Sequence, residues 1–418
     1  MTTTDLTTTQ TQTTTGPRLQ TPQRTRTPSI LLLGAVTALP ALSIDAYLPA
    51  LPSLARDLGT TPAAAQLTLT AVLLGIALGQ LIGGPLSDRF GRRTPLLAGL
   101  ATFVVAAGLC ALAPTLPALV ALRLLMGLGG GAAVVVARAV VRDRAEGARA
   151  ARMFARLMLV MGVVPVLAPV LGAQLLRVTS WRGVFAGLVL LGVILGTVVV
   201  RRLPETLEEP AHGGLLDTLR AFGGVLGDRA FVGYALAAAL SSGAMFAYIS
   251  ASPFVLEDVY GLSPAVFSVV FGTNAAGLIG AAQLSARLVG RTGPRPLLLI
   301  GLVVAAFSGI WLLVVALTDA PLPLLLGGLF AMLASTGFIG PNATALALQE
   351  HGAQAGTASA LIGLGQFVTG AVAAPLTGIV GGPGAMPLAV VVAAFAVTAA
   401  AASLLTRPRR LALATATA

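Results

Sequence analysis

The chain contains no lysine, and all 26 of its basic residues are arginine. With the abundance of Ala, Gly and Leu, this points to a GC-rich coding bias. Cysteine is almost absent too, with Cys110 alone, and the two histidines, His212 and His351, lie in polar connections. A single thiol can form neither an internal disulfide nor a thiolate metal site. No metal, no cofactor and no enzymatic acid–base or nucleophile cluster is expected. Charge of either sign is scarce, at 10% of residues. A soluble domain carries far more on its surface. No Walker-type phosphate loop is present, so ATP is not the expected energy source. The first 28 residues are rich in Thr and lack the apolar core of a signal peptide. They read as a disordered cytoplasmic tail.

What is present is apolar sequence: 56% of the 418 residues are hydrophobic. It comes in twelve blocks, the first at 29–51 and the last at 385–405. Several approach the ~20 residues that cross a bilayer as a helix. The formal charge of +11 would suggest nucleic acid in a soluble protein. Here the arginines sit in short connections between apolar blocks, with no basic, aromatic-interleaved helix, so no nucleic-acid partner is expected. The expected fold class is all-α and integral to the membrane, with twelve transmembrane helices.

The arginines alternate in number from one connection to the next. Arg89, Arg92 and Arg93 follow the second block, and Arg142, Arg144, Arg149 and Arg152 follow the fourth. Arg56, Arg177 and Arg182 are the only ones in the intervening connections. The positive-inside rule then puts both termini in the cytoplasm, in an inner (plasma) membrane. The longest polar stretch, 201–229, divides the chain into six-span halves, 29–200 and 230–405, followed by a tail at 406–418. The halves echo each other. Leu86-Ser87-Asp88-Arg89 has its counterpart in Leu284-Ser285-Ala286-Arg287, each after the second span of its half. A duplicated membrane protein of this kind is the usual build of a secondary transporter, with its site near the midplane between the halves.

Of 15 acidic residues, only Asp45 lies well inside a span. A carboxylate at that depth is costly and marks a functional position; a proton-coupling role is expected. Arg123 is its natural partner, because counting at 1.5 Å per residue puts both about 9 Å below the same membrane boundary. Arg138 lies nearer the cytoplasmic end, where a long side chain snorkels to the interface. Gly75, Gly79 and Gly83 make one smooth helix face for close packing, and Gly127 with Gly131 repeats the pattern. Pro165 and Pro169, with Gly172, should bend the fifth span.

Several of these segments together resemble a known family. Gly83-Gly84-Pro85-Leu86-Ser87-Asp88-Arg89-Phe90-Gly91-Arg92-Arg93 is similar to the signature loop of the major facilitator superfamily. Asp45-Ala-Tyr47-Leu-Pro49, Arg123-Leu-Leu-Met-Gly127, Ala168-Pro169-Val-Leu-Gly172 and Tyr248-Ile-Ser-Ala-Ser252-Pro253 resemble the bicyclomycin-resistance (Bcr/CflA) group of drug–proton antiporters. The resemblance implies a pseudo-symmetric pair of six-helix bundles that work as a proton-coupled multidrug exporter. It implies a functional Arg123. It also implies a cytoplasmic gate built from Gly84, Asp88, Arg89, Gly91, Arg92 and Arg93. In antiporters of the superfamily, a Gly-Pro-x-x-Gly-Gly segment resists proton leak; here Ala168-Pro169-Val-Leu-Gly172-Ala173 stands in its place, with alanine for two of the glycines.

Candidate cavity residues are Tyr47, Met126, Phe246, Tyr248, Asn274 and Gln366. An apolar cavity with few polar groups suits small lipophilic compounds. Arg123 as the only deep cation argues against strongly anionic substrates, and Asp45 as the only deep acid argues against multivalent cations. Chloramphenicol-like or bicyclomycin-like antibiotics are what the resemblance suggests. The expected partners are the lipid bilayer, protons and such a substrate, with the protein acting as a monomer. A dedicated exporter of a native metabolite and a proton-coupled nutrient importer remain open readings.

Overall fold

The computed structural model describes residues 30–145, 147–207, 215–349, 351, 354–381 and 384–403. Both expected tails, and residues 208–214 of the central stretch, lie outside the described residues. Helix follows helix: α1 (Ile30–Asp45), α2 (Leu51–Asp57), α3 (Pro62–Phe90), α4 (Arg93–Ala111), α5 (Leu116–Arg144), α6 (Gly147–Leu176), α7 (Trp181–Arg202), α8 (Leu215–Leu226), α9 (Arg229–Pro253), α10 (Pro264–Thr292), α11 (Pro294–Leu317), α12 (Leu322–Leu348), α13 (Ala355–Val380) and α14 (Met386–Ala402). Among the described residues, eleven segments are long and apolar enough to cross a membrane, one of them running through α1 and α2. The expected twelfth span is α14, an apolar helix of 17 residues, at the short end of what can cross.

Local chemistry starts and stops these helices. Thr61 and Ser263 accept from the backbone N–H groups of Ala64 and Val266, and Pro62 and Pro264 occupy the first turns of α3 and α10. Gly91 and Gly293 end the same two helices with positive φ. The matched starts and stops make the internal duplication visible in three dimensions. It extends to side chains. Tyr47, in the first span, shares a hydrogen bond with Thr68 on α3, and Tyr248, on α9, accepts one from Asn274 on α10.

The glycine faces pack as their spacing predicts. A Cβ on Gly75 or Gly79 would run into the α5 backbone at Leu124 or Leu128, and one on Gly127 or Gly131 into the α3 backbone at Val72 or Ile76. Without side chains between them, α3 and α5 touch backbone to backbone. Within the first half α4 packs on α5 and α7, and α1 on α6; within the second, α9 packs on α13 and α14, and α11 on α12. The halves meet where α3 packs on α13 and α6 on α10.

That meeting is closed on the arginine-poor face. Gln66 donates to the Ser250 carbonyl (3.3 Å) and accepts from Thr377 (3.2 Å). Thr70 donates to the Ala371 carbonyl, Ser268 to that of Pro169, and Arg56 pairs with Asp258. Toward the arginine-rich face the same helices part around two chambers.

The central stretch is not wholly irregular. Apolar residues at 219, 222, 225 and 226 recur at helical spacing, and α8 forms there. It packs against α3 from the first half and α9 and α13 from the second. Phe222 and Val225 are buried, and Phe222 lines the outer chamber.

Candidate functional site

The first span breaks beside its carboxylate. Pro49 and Pro52 have no N–H to give the carbonyls four residues earlier, those of Asp45 and Leu48. The helix therefore ends at Asp45, tightens into a 3-10 turn at Leu48–Ala50, and resumes as α2. Tyr47 N–H turns to the Ile44 carbonyl (3.3 Å), which leaves the Ser43 carbonyl free. Arg123 Nη1 fills that role from α5, donating to it at 3.0 Å. A cation at the C-terminal end of a helix also complements its dipole.

Arg123 is fully buried, at 0% exposure. Its guanidinium lies over the Tyr47 ring (4.7 Å) and the Phe185 ring (5.6 Å). Its Nε and Nη2 have no hydrogen-bond partner, and the two ring faces take up the charge. The break is gripped from a further side by α6, where a Cβ on Gly172 would run into the Ala46 carbonyl. Of the three hinge residues, Gly172 thus packs on the break, Pro165 lines the cavity, and the Pro169 carbonyl receives Ser268 from α10.

Asp45 is 6% exposed and lines the inner chamber, a cavity of about 230 Å³ between the halves. Its expected ion pair with Arg123 is not formed. The two stand at one depth, as counted, but Arg123 is spent on the Ser43 carbonyl and the aromatic rings. Among the described residues Asp45 has no ion-pair partner at all. It is the one carboxylate in the wall of that chamber.

The walls differ from expectation. Of the six candidate cavity residues only Phe246 lines the chamber. Tyr47 lies under Arg123, and Met126 is fully buried in the first half. Tyr248 stacks on Phe271 (5.6 Å between centroids) and holds Asn274. Gln366 is half-buried and lines neither chamber. Ile76, Gln80, Met245, Phe271 and Phe367 are the walls that sequence reasoning missed, and so is Arg138, which lines both chambers instead of reaching for the interface. An arginine inside a span was the available signal for the last. The apolar walls carried none, because they look like any buried position.

The signature loop forms a compact ionic brace. Arg92, 3% exposed, is held by Asp88, by Asp143 (2.7 Å) and by the Ser87 hydroxyl (2.8 Å). Burial works against its charge, but the bonds to Asp143 and Asp88 outweigh it and hold its pKa above the usual value. Glu205, just past α7, accepts from the backbone N–H groups of Arg92 (2.7 Å) and Arg93 (3.1 Å). Gly91, with φ of +85°, leaves the room this needs, since a Cβ there would strike the Glu205 carboxylate. Arg93 donates to the Val200 carbonyl, Arg89 lies over the Phe90 ring, and a Cβ on Gly84 would just touch the Val135 side chain. None of these bonds reaches the second half. With the halves parted on this face, the loop braces the first half rather than bridging to the other. In the second-half echo a neutral bond, Asn342 to Ser285 (2.7 Å), replaces the ionic one.

Glu205 makes the brace sensitive to acid. Burial alone would raise its pKa, but four backbone N–H groups outweigh it and hold the value below the usual range. A depressed carboxylate stabilises the fold above its unfolded pKa of about 4.3, and that contribution is lost as pH falls through the folded value. The stability difference between the wild type and Glu205→Gln should be full at neutral pH and vanish in acid. Thermal unfolding followed by thiol labelling at the buried Cys110 reads it. A difference that does not change with pH would refute the assignment.

Comparison with known proteins agrees with this architecture. The family model of the Major Facilitator Superfamily matches residues 33–375. An uncharacterized MFS-type transporter, YdgK of Bacillus subtilis (strain 168), is 37% identical over 352 residues, covering 83% of this chain and 88% of that protein. A bicyclomycin resistance protein homolog of Haemophilus influenzae is 32% identical, covering 82% and 87%. Among solved structures, the xylose transporter XylE from E. coli, in a partially occluded inward-open conformation, superposes with a TM-score of 0.71 at 17% identity, covering 91% of this chain and 97% of that one. The chain belongs to the Major Facilitator Superfamily of membrane transporters, among the relatives of its bicyclomycin-resistance (Bcr/CflA) group.

Proposed function

We propose that this protein exports small lipophilic antibiotics, chloramphenicol-like or bicyclomycin-like, in exchange for protons, using the proton gradient and no cofactor. The observation that carries the reading is Asp45: a lone carboxylate without a cationic partner, in the wall of an apolar chamber between two halves. Such a group can take a proton from one side and give it to the other as the halves rock. The resistance name of the Haemophilus relative supports the substrate class. The arginine-rich face, with both termini, lies in the cytoplasm of the plasma membrane. The chambers then face the cytoplasm, and the Gln66 clasp and the Arg56–Asp258 pair close the outer side. Asp88, Arg92 and their neighbours form the gate that closes the cytoplasmic side in the opposite state. The protein acts as a monomer.

The test is chloramphenicol or bicyclomycin accumulation in everted membrane vesicles, together with a susceptibility panel in an efflux-deficient bacterium. Uptake that appears with an imposed proton gradient and collapses with a protonophore is the expected result. Accumulation of neither compound, with no resistance conferred, would overturn the reading.

A further inference from the structure

The two chambers share three residues: Gln80, Arg138 and Phe367. Arg138 therefore stands at their junction, in the path between Asp45 and the arginine-rich mouth. It is half-buried, and among the described residues it has neither an ion pair nor a hydrogen bond. The nearest carboxylate on its own helix toward that face, Asp143, is engaged by Arg92. A guanidinium carries five N–H donors in a planar fork, and no protein acceptor among the described residues answers them here. Arg92 is engaged in the brace and Arg123 on the Ser43 carbonyl and two aromatic rings, whereas Arg138 faces the space where a transported molecule would sit.

We propose that Arg138 is the substrate-recognising cation of this cavity, and that it selects lipophilic molecules bearing a carboxylate. The fork matches a carboxylate with two parallel hydrogen bonds, which few other groups accept as well. Phe246, Phe271 and Ile76 give the rest of the molecule apolar walls. Asp45 sets the limit and the direction. The path from 123 to 138 along α5 is about 22 Å at 1.5 Å per residue, and Asp45 lies at the Arg123 level. A ligand therefore meets the cation at the junction and the acid at the far end. One negative charge is answered, and a second would face Asp45 unpaired. Among charged ligands the class that fits is thus the monoanion, or the zwitterion with its cationic end toward Asp45, while neutral drugs are held by the apolar walls alone. The expectation against strongly anionic substrates took Arg123 as the only deep cation; with Arg138 at the junction one negative charge is accepted and a second is not. The inference rests on the transport reading only in taking this cavity as the substrate site.

Binding, measured apart from transport, tests it. The probes are 1-naphthylacetate and 1-naphthylacetamide, alike in shape and different in charge, titrated into the purified protein in lipid nanodiscs at neutral pH. The wild type should bind the acid at least about tenfold more tightly than the amide. Arg138→Gln should lose that preference by weakening the acid alone, with amide binding and thermal unfolding unchanged. Arg138→Lys, a point charge without the fork, should restore part of it. No preference in the wild type, a preference that survives Arg138→Gln, or equal weakening of both probes would overturn the proposal. Failure of the export reading would look different: no gradient-driven efflux, with the acid preference intact.

Discussion

Asp45→Asn leaves a folded protein in the membrane whose drug-induced proton release, in everted vesicles, falls to background. Asparagine has the shape of a protonated aspartate and cannot ionise, so it holds the site permanently in one charge state. Nothing else in the chamber wall can replace the lost group, because no other carboxylate lines it. The ionic brace does not take over, since its acids are committed to Arg92 and to the backbone at residues 92–93 and line neither chamber. Binding of a neutral drug should persist, because the apolar walls are untouched. Proton release equal to that of the wild type would show that Asp45 does not couple.

Arg123→Leu has the second large effect, and its route is structural. It leaves the Ser43 carbonyl, freed by the break in the first span, without a donor in a buried place, a cost of about 1–3 kcal/mol. It also removes the cation from two aromatic faces, worth about 2 kcal/mol when desolvated. Relief of the buried charge offsets part of this. A net loss on the order of 2–3 kcal/mol is expected, read as a lower unfolding temperature through Cys110 labelling. Transport falls with it, since Asp45 is the last helical residue before the break that Arg123 secures. Arg123→Lys can still donate to Ser43 but offers no flat face to Tyr47, and should land between the two. Unfolding at the wild-type temperature in the Leu variant would rule out the capping role. Asp45→Asn and Arg123→Leu thus separate coupling from positioning, because the first spares stability and the second does not.

Depth proved legible from sequence, and neighbours did not. Counting residues put Asp45 and Arg123 at one level, and they are at one level. The count said nothing of what else stands there. The break in the first span frees a carbonyl that competes for the guanidinium, and Tyr47 and Phe185 enclose it. The same limit misplaced Arg138. Its distance from the helix end suggested snorkelling, but the parting of the halves puts a cavity beside it. The α8 helix was read as part of a polar connection, because its few apolar residues at 219–226 are outnumbered by their surroundings.

What the sequence by itself determined was therefore the one-dimensional part. The spans follow from apolar length, and the α3–α5 contact from glycines four residues apart. Each depends on the chain's own period and on its partition between lipid and water. Only the tertiary structure decided which charges face the cavity and which are consumed in holding it. Cavity and core are lined by the same residue types, and a guanidinium is a cap, a brace or a ligand according to the acceptor within its reach. That acceptor comes from helices distant in the chain, Ser43 for Arg123 and Asp143 for Arg92, and among the described residues Arg138 has none.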